Sequence, residues 1–259
     1  MLKRTVHLLL AASLLTPTLW AANDPFVGKW KLNPSKSRFP DEMKVTAAGT
    51  SKYLFDFGAG QTETIATDGT DQPGIYSTTL AVTVEAPDTW KVVRKKDGRT
   101  LLTATWKLSD NGTTLSDFYR QNAPDGSTLS MDYIYKRSTP GSGFAATWDS
   151  VSEKMNSPYE LEIKPYEVDG LTFITPAEGS TQNVKLDGKD HPDAGLNAPP
   201  DSTSSGRRVN EHALKITRRV KGEVRETRDV ELSSDLKTLT MTLHRVGQDK
   251  QTILVFDRE

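Results

Sequence analysis

The chain repeats itself, and that repeat restricts its fold more than any other feature. Shifted so that Lys91 falls on Lys215, TWKVVRKKDGRTLLTATWKLSDNGTTLS (89–116) lies without a gap on ALKITRRVKGEVRETRDVELSSDLKTLT (213–240). Lys91, Arg94, Gly98, Thr103, Leu108, Ser109, Thr114 and Leu115 recur as Lys215, Arg218, Gly222, Thr227, Leu232, Ser233, Thr238 and Leu239. Upstream, Asp68-Gly69-Thr70-Asp71 with Pro73 answers Asp187-Gly188-Lys189-Asp190 with Pro192, and Phe26 and Trp30 answer Phe144 and Trp148. Both copies close alike, at Tyr135-Lys136-Arg137 and Phe256-Asp257-Arg258. One structural unit is built twice.

Each unit reads as β. Val, Thr, Tyr, Trp and Leu alternate with Lys, Arg, Glu and Asp in short runs, the period of a half-buried strand. Asp97-Gly98, Asn111-Gly112, Asp125-Gly126 and Asp169-Gly170 punctuate the runs with dipeptides that tolerate the positive φ of tight hairpins. No stretch sustains a helical period. Antiparallel strands in such number avoid open edges most simply by closing, which predicts two tandem up-and-down β-barrels. Ser138 to Gly143 is a linker of strand-poor residues, so the expected domains are 23–139 and 140–259.

Residues 1–22 have the form of a signal peptide: Lys3 and Arg4, an apolar run from Val6 to Leu15, Pro17, and small residues Ala21 and Ala22 at the expected cleavage point. That predicts a periplasmic or secreted monomer with no stable membrane insertion. The absence of cysteine removes disulfides, thiolate metal sites and a Cys nucleophile together. A net charge of −1 gives no basic surface for nucleic acid, and none is expected as a partner.

Gly28-Lys29-Trp30, at the first strand, resembles the G-x-W opening of the lipocalin and calycin superfamily. The resemblance implies that an Arg from the last strand packs over this Trp and closes one barrel end. Arg137 and Arg258 stand in the corresponding positions, and within each repeat they are expected to meet Trp30 and Trp148 respectively. In the second copy Ala146 and Thr147 replace the Gly and Lys. The resemblance also implies a cavity for a small hydrophobic or amphipathic molecule.

Strand parity nominates the interior. Trp90, Val92 and Arg94 share a face, as do Leu102, Ala104, Trp106 and Leu108; the second copy aligns Leu214, Ile216 and Arg218, then Val224, Glu226, Arg228, Val230 and Leu232. Ligand contacts are therefore expected from Arg218, Glu226, Arg228, Trp90, Arg94 and Trp106. Arg218 and Arg228 would meet an acidic head, or Glu226 and Arg228 would simply pair with each other. Asp187, Asp190, His191 and Asp193 read as a turn, since Asp68 and Asp71 repeat part of the pattern. Residues 176–208 show little periodicity and suggest a lid or slack. No nucleophile, base or metal set stands out, so neither catalysis nor a cofactor is expected. Two readings remain: a carrier with a cavity, or an interaction module with filled barrels.

Overall fold

In the computed structural model, which describes residues 24–58, 62–123, 126–193 and 200–259, regular structure is almost entirely antiparallel strand. The expected signal segment lies outside the described residues. After β1 (Gly28–Leu32) come β2 (Glu42–Ala47), β3 (Lys52–Asp56), β4 (Thr62–Ala66), β5 (Gln72–Pro73), β6 (Thr79–Ala86), β7 (Thr89–Lys96), β8 (Arg99–Leu108), β9 (Thr114–Asn122) and β10 (Thr128–Arg137). The second copy supplies β11 (Ala146–Met155), β12 (Glu160–Tyr166), β13 (Gly170–Thr175), β14 (Ser180–Lys185), β15 (His191–Pro192), β16 (Ser202–Asn210), β17 (Ala213–Val220), β18 (Glu223–Leu232), β19 (Thr238–Arg245) and β20 (Thr252–Arg258).

These strands form two 10-stranded sheets, each nearly closed into a barrel. Their membership corrects the expected division at 139/140. One sheet runs β4-β3-β2-β11-β10-β9-β8-β7-β6-β5, and the other β14-β13-β12-β1-β20-β19-β18-β17-β16-β15. Each barrel thus takes the strand that carries its capping Trp, β11 with Trp148 or β1 with Trp30, from the opposite repeat. The segment from Ser138 to Gly143 joins β10 to β11 inside the first barrel. The chain crosses between barrels at residues 33–41 and 156–159 instead. The swap keeps equivalent positions equivalent: β1 and β11 are repeat counterparts, and each sets its Trp opposite the Arg of a neighbouring strand, Trp30 by Arg258 and Trp148 by Arg137.

The seams close alike. Gly69 N–H donates to Val82 O, and Gly188 N–H to Gly206 O, both at 2.9 Å, beside isolated bridges Asp68–Thr83 and Asp187–Arg207. At Gly206 a Cβ would stand 2.4 Å from Val184 Cγ1, so only glycine lets β14 approach β16 this closely. The bulges repeat as well. One extra residue, Glu85 or Val209, interrupts β6–β7 and β16–β17, and Leu101 or Arg225 interrupts β7–β8 and β17–β18. The last of these turns Val224 outward, against the simple parity expectation, while Glu226 stays buried.

Barrel closure also follows the swap. Arg258 lies over Trp30 at 4.1 Å from the ring centroid, and Arg137 over Trp148 at 4.4 Å, so the expected partners are exchanged. Each pair faces across adjacent strands. Arg258 donates to the carbonyls of Leu236, Val27 and Pro25, and Arg137 to the equivalent Gly112, Ala145 and Gly143. The indole N–H groups donate to Phe26 O and Phe144 O. Gly28 leaves room for this cap: a Cβ there would meet Arg258 Nη1 at 2.9 Å.

The described parts of 176–208 are not slack. They form a short 3-10 turn at Pro176–Glu178 and strands β14, β15 and most of β16; residues 194–199 lie outside the description.

Candidate functional site

Each barrel has an apolar core against its Trp–Arg cap. Trp30, Phe26 and Phe256 lie in one, and Trp148, Phe55 and Trp90 in the other. Away from the caps, both barrels open into one chamber of about 650 Å³. Neither Trp30, Trp148, Arg137 nor Arg258 lines it. The volume falls in the range of small-molecule pockets. Phe39, Pro40 and Asp41, on the 33–41 crossing, form part of the wall, so the exchange of strands also builds the site.

The second-barrel wall carries a continuous polar chain. Glu226 Oε1 accepts from Arg228 Nε at 2.5 Å, and its Oε2 from Arg245 Nε at 3.2 Å. Arg228 Nη1 donates to Gln182 Oε1, Gln182 Nε2 to Ser204 Oγ, and Ser204 Oγ to Asp193 Oδ1. Asp193 Oδ2 then meets Arg218 Nε at 3.2 Å. Burial alone would raise the Glu226 carboxyl pKa, but the two guanidiniums outweigh it and hold the group below its usual value. Burial likewise works against the Arg228 charge, and Glu226 more than restores it. This is an internally balanced network, the structural pairing anticipated as the alternative to a free clamp. Gln182, Arg245 and Asp193 are members that strand parity in β17 and β18 could not nominate.

The first-barrel wall differs in kind. Arg94 is fully engaged: its guanidinium meets Glu63 Oε1 at 2.5 Å and Oε2 at 3.2 Å, and donates to Thr78 Oγ1 at 2.8 Å. Leu102, Ala104 and Trp106 line the chamber as parity predicts. Trp90 does not; it stacks on Phe144 with ring centroids 3.9 Å apart and belongs to the packed core.

Opposite them on β9, Asp117 continues the inward row of Leu115 and Tyr119. Asp117 is only 7% exposed, and burial pushes its carboxyl up to about 7. The indole of Trp106, its cross-strand neighbour, favours the charged form without reaching hydrogen-bond geometry: among the described residues, neither Asp117 Oδ1 nor Trp106 Nε1 has a hydrogen-bond partner. Nearby, Asp41 Oδ2 accepts from Tyr135 Oη at 2.7 Å, and burial raises the Asp41 carboxyl despite that bond. Tyr133 and Tyr119 complete this end, their phenols pushed up by burial. A lone carboxylate in the inward row Leu115, Asp117, Tyr119 and Gln121 was the available signal for Asp117, and it appears only once β9 is given a parity.

The structure therefore brings Arg94, Trp106, Arg218, Glu226 and Arg228 onto one chamber wall and leaves Trp90 outside it. No protein-family model and no curated protein matches this chain.

Proposed function

We propose that this chain is an exported, lipocalin-like binding protein that holds a small amphipathic molecule in the chamber shared by its two barrels. The observation that carries the reading is the chamber itself. A cavity of about 650 Å³ lies between two well-packed cores, and its wall mixes apolar surface with a few converging polar groups. A module whose barrels are filled with side chains would have no use for such a space. The Trp–Arg caps, each with three guanidinium-to-carbonyl bonds, support kinship with the lipocalin-like barrels that the G-x-W motif suggests.

Native mass spectrometry of the protein purified from its own source tests the proposal. The expected spectrum contains a small-molecule adduct that disappears on denaturation. A bare protein mass, together with no displacement or uptake of an apolar fluorescent probe, would move the function to the outer surface.

A further inference from the structure

We propose that the first-barrel end of the chamber is an amine site, in which Asp117 and Asp41 hold the ammonium group of an amphipathic organic cation. The inference rests on the chamber being a ligand site and names the chemistry of the ligand's polar end.

Charge pairing on the chamber wall favours a cation over an anion. Every Arg there already has a carboxylate: Arg94 has Glu63, Arg218 has Asp193, and Arg228 and Arg245 share Glu226. Asp41 and Asp117 form no ion pair among the described residues. An acidic ligand would have to displace built carboxylates at one end or face two carboxyls at the other. A cation finds two carboxyls waiting.

The same wall presents an unmet polar atom. A carboxyl oxygen buried without a partner is costly, and such groups in folded proteins call for a completing partner. Asp117 Oδ1 is in that position, on the chamber wall, more than nine-tenths buried. An ammonium supplies the missing donor and the compensating charge, and leaves the Trp106 N–H to turn to the same carboxylate. The surrounding wall of Trp106, Tyr119, Tyr133 and Tyr135 is aromatic, and aromatic faces attract organic cations. The ligand's apolar body would extend past Leu129, Met131 and Leu161.

Calorimetric titration of the full chain with octylamine, octanol and octanoate near neutral to mildly alkaline pH tests the assignment. One charge-assisted contact predicts that octylamine binds roughly 10-fold or more tightly than octanol, with octanoate weakest. Asp117→Asn should bring octylamine to within about 3-fold of octanol while octanol binding stays put, since the octanol arm reports on the fold and the apolar chamber. Octanoate binding more tightly than octylamine, or an undiminished amine preference in Asp117→Asn, would overturn the amine site and leave the chamber reading standing. Failure of the wild type to bind any octyl compound would overturn both. If Asp117→Asn loses octanol binding as well, Asp41→Asn decides: a reduced amine preference supports the site, and an unchanged one overturns it.

Discussion

Arg258, from the last strand of the chain, lies with its guanidinium 4.1 Å from the centroid of Trp30, on the first. The two are register partners on β20 and β1, and three carbonyls fix the guanidinium above the indole. The termini of the described chain are thereby clasped into one barrel. Trp30→Ala should destabilise that barrel by about 3–5 kcal/mol, the usual loss for a fully buried Trp. A double-mutant cycle in urea should give a coupling of about 0.5–2 kcal/mol for Trp30 with Arg258 and none for Trp30 with Arg137.

The strand exchange makes a prediction about fragments. Residues 42–155 hold every strand of the first barrel, whereas 23–139 lacks β11 and 140–259 lacks β1. A fragment spanning about 40–157 should unfold cooperatively, because its sheet is complete. Cutting the intact protein between Gly141 and Gly143 should leave two pieces that co-elute on size exclusion, since β10 and β11 remain paired across the nick. Separation of the pieces without denaturant would contradict the exchange.

Asp117 predicts an unusual pH profile. Burial is the main cause of its raised pKa; Trp106 opposes the rise, Asp41 and Asp132 add to it, and Arg120 opposes it. Between an unfolded value near 4 and the folded value of about 7, the folded state holds a proton that the unfolded state has released. The associated stability is fully present below pH ~4 and is lost as pH rises through 7, on the order of 2–4 kcal/mol. Asp41, also raised, acts in the same direction. Glu226, whose pKa is lowered, acts oppositely and loses its contribution as pH falls. Asp117→Asn should flatten the decline in urea stability between roughly pH 4 and 7. A decline of equal slope in wild type and variant would show that another group is responsible.

Glu226 is the common partner of Arg228 and Arg245. Glu226→Gln should destabilise the second barrel by about 3–5 kcal/mol, because Arg228 would keep its charge in a buried site without the carboxylate it is bonded to. Adding Arg228→Met to that variant should recover much of the loss, which chemical denaturation would measure. No recovery would mean that the Gln182–Ser204–Asp193 chain needs Arg228 in its own right.

Local chemistry determined much of this protein in advance. The alternation of apolar and polar residues specified strands, Asp97-Gly98 and Asn111-Gly112 specified hairpins, and the repeat specified two equivalent units, because all three depend on neighbours along the chain. Asp68-Gly69 and Asp187-Gly188, expected as hairpin turns too, instead carry the chain across the seam between the two edges of each sheet. Inward placement of Leu102, Ala104, Trp106, Glu226 and Arg228 followed from parity alone. Val224 escaped because a bulge adds one residue and resets the parity, which no two-residue period can foresee. Tertiary structure alone decided which barrel receives β1 and which receives β11. Two strands with the same Trp in the same repeat position look alike along the chain, so the choice shows only in the crossings at 33–41 and 156–159, which carry no periodic signal. The same choice set Arg258 over Trp30, Arg137 over Trp148, and Asp117 against a shared chamber. Long-range pairing, rather than any residue's own preference, made the site.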